Sequence, residues 1–447
     1  MSRIRPALAG LAAAAALLGA AAPADARFSW AVSGGGPGSD DADGIGSDPS
    51  GNLVISGGTA GPGGADIFAA RYGPRGGLRW MRRYASTGAD QAFDNDVDTH
   101  GNGLITGSFN RTVDFGGTTL VSRGGTRPRY GDAFLLKLGR NGNTRWVRQI
   151  GGTASDGGDE IVAGPHDDAL VIGDTEGDVR FSSTVELQGE GGRDAWVARF
   201  RSAGSLAWAR LLGGSGDTQS HGIGVDRRGR VLVTGEFQGE ARIGSKRLES
   251  DGARPDVFVA RLDRRGRVLW AKRFGDADRE IGRGVAADAR GNVYFSGEYA
   301  GRIQIGAHSL TAAGSDDMFL AKATPGGRIL WVVSIGGPGP ETGPELEVDR
   351  RGNAYLAGTF SGTARIGRRV LRSTGARGAF AAKLSPKGRL AWVAQSGPES
   401  PFATLGELTV GPRFVSVLGR YAGSVRLGSR TFTSAGETDY FIAGAPR

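Results

Sequence analysis

The chain has 447 residues and no cysteine, which excludes disulfides, thiolate metal centres, thiol chemistry and a lipid-modified cysteine. Its net charge of +9, with 55 basic and 46 acidic residues interspersed, suits a soluble surface and offers acidic partners only weak, salt-sensitive attraction. The 79 glycines fall at fixed places between β-rich segments, so they mark turns rather than disorder.

The N-terminus reads as a leader. Arg3 and Arg5 precede an apolar run over residues 7–22, and Ala24-Asp25-Ala26 supplies the small-x-small pattern of a signal-peptidase site. The expectation is a signal peptide over 1–26, cleavage before Arg27, and export to the periplasm or the medium. The run is too short and alanine-rich for a membrane span, and no second stretch of that kind follows.

Residues 27–447 read as a single domain of repeats. Tryptophans recur about every 60 residues, at Trp30, Trp80, Trp146, Trp208, Trp270, Trp331 and Trp392, a period that marks a radial β array. Each copy contains four short strands. The first ends at an aspartate (Asp48, Asp98, Asp226, Asp288, Asp349) followed by a glycine turn. The second ends at Gly57, Gly107, Gly173, Gly235, Gly297, Gly358 or Gly419, and from copy two onward a small extra hairpin follows. The third opens with an aspartate two places before an aromatic residue (Asp66, Asp132, Asp194, Asp256, Asp317, Asp439), copy six having Gly378 instead. It ends near a base (Arg71, Lys137, Arg199, Arg261, Lys322, Lys383), replaced by Gly444 in copy seven. The fourth carries the tryptophan. Copy seven stops after its third strand, whereas the chain begins with an orphan fourth strand, so residues around 28–34 should pair with residues around 439–444 and close the ring. The fold class that follows is all-β, a seven-bladed β-propeller of four-stranded antiparallel blades.

Two stretches carry a family resemblance. Gly291-Asn292-Val293-Tyr294-Phe295-Ser296-Gly297 and Asp256-Val257-Phe258-Val259-Ala260-Arg261 resemble the bacterial seven-bladed β-propeller repeat family with SBBP-type repeats. The resemblance covers essentially the whole of 27–447 and implies the propeller; it implies no catalytic residues.

Counting back from the turn aspartates gives two columns on the inner strands. Four places before the turn stand Gly44, Asp94, Glu160, Gly222, Gly284, Glu345 and Glu407; two places before stand Gly46, Asp96, Val162, Gly224, Ala286, Glu347 and Thr409. Period-two alternation makes this one face, either tiny or acidic. If it lines the channel, Asp94, Asp96, Glu160, Glu345, Glu347 and Glu407 form a throat whose oxygens suit calcium; the alternative is a wet channel of solvated carboxylates, and the fold needs no cofactor. The histidines His100, His166, His221 and His308 are scattered and read as solvated turn residues. Arg227, Arg228, Arg264, Arg265, Arg350 and Arg351 fall in turns of one rim, which could meet a polyanion, but no aromatic residues are interleaved to stack the bases of a specific nucleic acid. The turn aspartates and third-strand bases are expected to pair within or between blades. The functional reading is an exported monomeric binding or scaffold module for a protein or polysaccharide; the alternative is a carbohydrate-active enzyme, a glycosidase or lyase, with carboxylates at the channel mouth.

Overall fold

In a computed structural model, the structure describes residues 24–25, 28–61, 64–86, 88–123, 131–251 and 253–447. The expected leader lies outside the described residues apart from Ala24–Asp25, whose backbone runs parallel to Trp392 and Val393. No helix among the described residues is long and apolar enough to cross a membrane.

Seven antiparallel four-stranded blades surround a channel, the first six laid down in chain order from the channel outward and the seventh completed on its outer side by the N-terminal strand. Blade 1 is Asp40–Ser47, Leu53–Gly61, Gly64–Tyr72 and Leu78–Tyr84. The inner strands of blades 2 to 7 are Gln91–Val97, Asp156–Ala163, Asp217–Val225, Glu280–Ala287, Glu341–Val348 and Phe402–Val410. Second and third strands such as Gly103–Phe109 and Asp132–Leu138 are buried at every position because neighbouring blades cover both faces, which is why they read as continuous apolar runs. The ring closes as expected: Trp30–Gly34 pairs with the C-terminal strand Asp439–Pro446, from Trp30 opposite Gly444 to Gly34 opposite Tyr440. The small hairpins expected from copy two onward are present in blades 2 to 7.

Every inner strand is broken by a β-bulge. The glycine column of the second strand makes room for it. A Cβ at Gly57, Gly107, Gly173, Gly235, Gly297 or Gly419 would collide with the carbonyl oxygen of the inner strand just before the bulge. A repeated glycine thus fixes where the channel-facing strand kinks and re-aims one side chain per blade.

The rim pairs form within each blade. Arg71 meets Asp48 at 2.5 Å, Lys137 meets Asp98 at 2.8 Å, Arg261 meets Asp226 at 2.6 Å and Lys322 meets Asp288 at 3.6 Å, all buried. Blade 3 has Gly164 at the turn position, and Asp168 enters from beyond the turn to pair with Arg199. The expected Asp349–Lys383 pair is replaced: Arg447 reaches Asp349 at 3.5 Å, and Lys383 sits over the Tyr355 ring. The same bases also hold the next blade through its carbonyls: Arg71 donates to Gly101 O at 2.7 Å, Arg261 to Pro325 O at 2.8 Å and Lys322 to Pro386 O at 3.2 Å. The repeat tryptophans act alike, since Trp80, Trp146, Trp208, Trp270 and Trp331 each donate their indole N–H to a carbonyl of the following blade at 2.8–3.1 Å.

Because Asp226 contacts Arg261 and not Lys322, the double-mutant cycle of Asp226→Ala with Arg261→Ala should show a coupling of about 1–3 kcal/mol in denaturant unfolding, while Asp226→Ala with Lys322→Ala should be additive within about 0.5 kcal/mol. Additivity in the first cycle would contradict the buried pair.

Candidate binding face around the channel

The six throat acids come together as their columns require. A channel cavity of about 320 Å³ is lined from all seven blades and includes Asp94, Asp96, Glu160, Glu347 and Glu407. Glu345 lies close enough to raise the proton affinity of Glu160 and Glu407. Their first task is structural. The channel-side edge of an inner strand has no further strand to pair with, so its N–H groups need acceptors. Asp94 accepts the N–H of Ile161 at 2.8 Å, Asp96 that of Ala163 at 2.8 Å and Glu160 that of Ile223 at 2.5 Å, each on the following blade. Where the column is glycine the strands touch directly: a Cβ on Gly44 would collide with the backbone of Asn95, and one on Gly224 with the carbonyl of Val285. At Gly44, Gly224, Asp94, Asp96 and Glu160 the column residue thus answers to the spacing of neighbouring inner strands.

Burial raises these carboxyls. Asp94 is pushed up to about 7 by burial, against the pull of the Ile161 N–H, and Glu345 and Glu347 are pushed up to about 8, again chiefly by burial. Glu160 and Glu407 rise well above the ordinary range through burial and mutual repulsion.

Above the throat, on the side away from the turn rim, the bulges build a mouth that the period-two reading did not reach. The bulged residues include Asp43, Asp159, His221 and Arg283, so this position does not keep one side chain around the ring. Residues just after the second-strand glycines face them, among them Asp174, Glu236, Glu298 and Arg420. Asp43 accepts from Gln91 Nε2 at 2.7 Å and is nonetheless pushed up to about 7, chiefly by burial. Asp159, Asp174, Arg193, Gln219 and His221 line a cavity of about 210 Å³ between blades 3 and 4. Arg193 donates to Gln219 at 3.1 Å, Asp174 accepts the N–H of Ser220 at 3.1 Å, and burial pushes the Asp174 carboxyl up to about 7. Arg283 pairs with Glu298 at 3.1 Å.

His221 corrects the reading of that histidine as a solvated turn residue. It occupies a bulge, with Glu236 3.6 Å from its Nε2, and burial holds the imidazole below the usual histidine range against the pull of Glu236. Asp159 Oδ2, His221 Nε2 and Glu236 Oε2 are buried without a hydrogen-bond partner. The signal that could have located these residues is the glycine opposite, which marks the strand position where alternation breaks.

On the far rim Arg227, Arg228, Arg264, Arg265, Arg350 and Arg351 are all exposed, as expected. The backbone N–H groups of Arg228, Arg265 and Arg351 close the turns by donating to Asp226, Asp263 and Asp349 at 2.9 Å. Charge is thus divided between the ends of the channel, acidic at the mouth and throat and basic at the turns.

The SBBP beta-propeller repeat matches residues 207–236, which run from the fourth strand of blade 3 into the second strand of blade 4, and the same columns recur around the seven-bladed ring. An uncharacterised WD-repeat-containing protein of Acanthamoeba polyphaga mimivirus is 20% identical over 370 residues, covering 66% of this chain and 26% of its own length, so the chain spans about a quarter of that relative. Among solved structures, an ulvan lyase from a polysaccharide lyase family, bound to a GlcA(1-4)Rha3S saccharide, superposes with a TM-score of 0.50 at 10% identity, covering 92% of this chain and 96% of that one. Chaetomium thermophilum Sqt1, bound to the N-terminus of a ribosomal protein, gives 0.48 at 7% identity over 93% and 99% of the two chains. At these identities the likeness to the lyase is one of fold.

The two sets of carboxyls set opposite pH dependences. Glu345 and Glu347, raised from 4.5 to about 8, keep protons that the unfolded chain releases, so their contribution is complete in acid and is lost as pH rises toward 8. At Asp226 burial opposes ionisation but is outweighed by donors from Arg230, Arg261 and Arg228; its lowered pKa contributes stability above 3.8 that is lost as pH falls below it. Melting temperature should therefore peak near about pH 5 and decline toward about pH 9, and Glu345→Gln with Glu347→Gln should flatten the alkaline decline. A wild-type profile rising from pH 5 to 9 would contradict the burial of the throat acids.

Proposed function

From a seven-bladed propeller of SBBP-type repeats, we propose that this chain is a binding scaffold that seats a basic polypeptide segment at the bulged mouth of its channel. The observation that supports it most is the set of acceptors left unspent there, Asp159 Oδ2 and Glu236 Oε2, at positions where the repeat stops repeating. A residue type that recurs in every blade holds the ring; a position that changes from blade to blade is available for a ligand. Asp43, Asp159, Asp174, Glu236 and Glu298 outnumber Arg193, Arg283 and Arg420, and the throat acids lie beneath them. Raised carboxyl pKa values express unmet demand for positive charge, which lysine or arginine side chains of a partner would meet. The N-terminal leader pattern supports a site of action outside the cytoplasm, in the periplasm or the medium.

A second reading rests on one feature of the same cavity. Asp174, held near pH 7 beside Asp159, has the proton affinity that a general acid acting on a glycosidic bond requires. Release of reducing ends or unsaturated products from a polysaccharide panel, abolished by Asp174→Asn, would select that enzyme over the scaffold.

Titration of a fluorescent oligolysine peptide tests the proposal. Affinity should rise between pH 6 and 8 as Asp43 and Asp174 ionise near 7, and fall with salt. Asp159→Asn with Glu236→Gln should weaken it by roughly tenfold. Oligolysine binding unchanged by those substitutions, or capture of an anionic polysaccharide that depends on Arg227, Arg264 and Arg350 instead, would overturn it.

A further inference from the structure

The junction of blades 4 and 5 holds a buried pair of acids that the propeller's own bonds do not satisfy. Asp256 opens the third strand of blade 4, and Glu280 opens the inner strand of blade 5. The N–H of Glu280 donates to Pro255 O at 3.0 Å, so a backbone bond fixes the two side chains at the same junction. Both residues are 0% exposed. Asp256 uses its Oδ2 for the N–H of Asp251 at 2.9 Å and the Arg273 guanidinium at 3.2 Å. Its Oδ1, and both oxygens of Glu280, have no hydrogen-bond partner. When both are ionised they are acceptors only and cannot bond one another, so their shared burial needs either a proton or a cation between them. Glycine keeps the space: a Cβ on Gly275 would collide with Asp256 Oδ1 and stand 3.0 Å from Glu280 Oε2.

The site rests on Glu280 and Asp256 rather than on the whole run Asp276-x-Asp278-x-Glu280, because Asp276 faces the Arg302 guanidinium at 3.6 Å and Asp278 accepts the Arg302 N–H at 3.3 Å. A buried glutamate able to bind through both oxygens, beside a second carboxylate oxygen, suits calcium-class ions, which take oxygen ligands and tolerate irregular geometry. We propose that this junction binds a divalent cation of the calcium class, with Glu280 as a bidentate ligand and Asp256 Oδ1 as a third oxygen.

The arrangement recurs, which separates it from an accident of one loop. Between blades 5 and 6 Asp317 Oδ1 and Glu341 Oε1 are likewise buried without partners, and Asp156 Oδ1 is so between blades 2 and 3. At the junction of blades 6 and 7 the two acids vanish together, with Gly378 and Ala403 in their places. Burial, reinforced by the neighbouring aspartate, pushes Glu280 up to about 9 and Glu341 up to about 8, so at neutral pH each pair takes up either a proton or a metal ion. A bound cation would tie consecutive blades at the end of the ring opposite the rim ion pairs.

The test is thermal melting and calorimetric titration of the full chain at pH 7.5 with calcium chloride against EDTA. Calcium should raise the melting temperature by roughly 3 °C or more at saturating excess. Glu280→Gln, and separately Asp256→Asn, should remove most of that rise and reduce the calcium bound per chain, whereas the throat substitution Glu347→Gln should leave both intact. The proposal is overturned by melting insensitive to calcium, by a calcium effect that survives both junction substitutions, or by one lost only with Glu347→Gln. Stabilisation by acid alone, with no calcium bound, would assign the pair a shared proton and also overturn it.

Discussion

A strand that lines the channel has one edge with no partner, and the hydrogen-bonding needs of that edge govern much of this molecule. Seven such strands meet side by side, and each places N–H groups where water is scarce and the next blade is close. Two solutions are used. A carboxylate crosses to the neighbouring strand, as Asp94 and Asp96 do to Ile161 and Ala163, or a glycine lets the backbones approach directly, as Gly44 does beside Asn95. Both require the neighbour to be in place, so the inner ring is stable only as a closed set. The outer fastening by Arg71, Arg261 and the indoles of Trp80 to Trp331 follows the same principle, because each reaches a carbonyl of the next blade.

The fold was legible because its physical requirements repeat. Glycine opposite each bulge, aspartate at each rim turn and tryptophan on each outer strand are answers to the same problem posed seven times, and a single chain displays them as columns. The orphan strands at the two ends likewise pointed to the closing pair, Trp30 to Gly34 with Tyr440 to Gly444. The throat was legible for a similar reason, since the columns were counted from the turn and no bulge intervenes over those four residues.

The mouth was not legible, because alternation fails one residue further in. The bulge adds a residue, so Asp43, Asp159, His221 and Arg283 leave the register from which a face could be inferred. Asp168 escaped notice because it substitutes for a missing turn aspartate from the other side of the turn, and Arg447 because it serves the blade before its own. The charge division also needed three dimensions. A chain of net charge +9 reads as basic, yet the channel and its mouth hold more acids than bases, while Arg227, Arg228, Arg264, Arg265, Arg350 and Arg351 stand exposed at the turn rim.

Closure is the claim on which the throat, the mouth and the junctions all depend, and removal of the closing strand tests it most directly. Thermal melting and size-exclusion chromatography of a variant lacking residues 28–33 should show a sharply lower melting temperature and association through the exposed edge of Asp439–Pro446. A monomer with an unchanged melting temperature would contradict a ring held shut by its two ends.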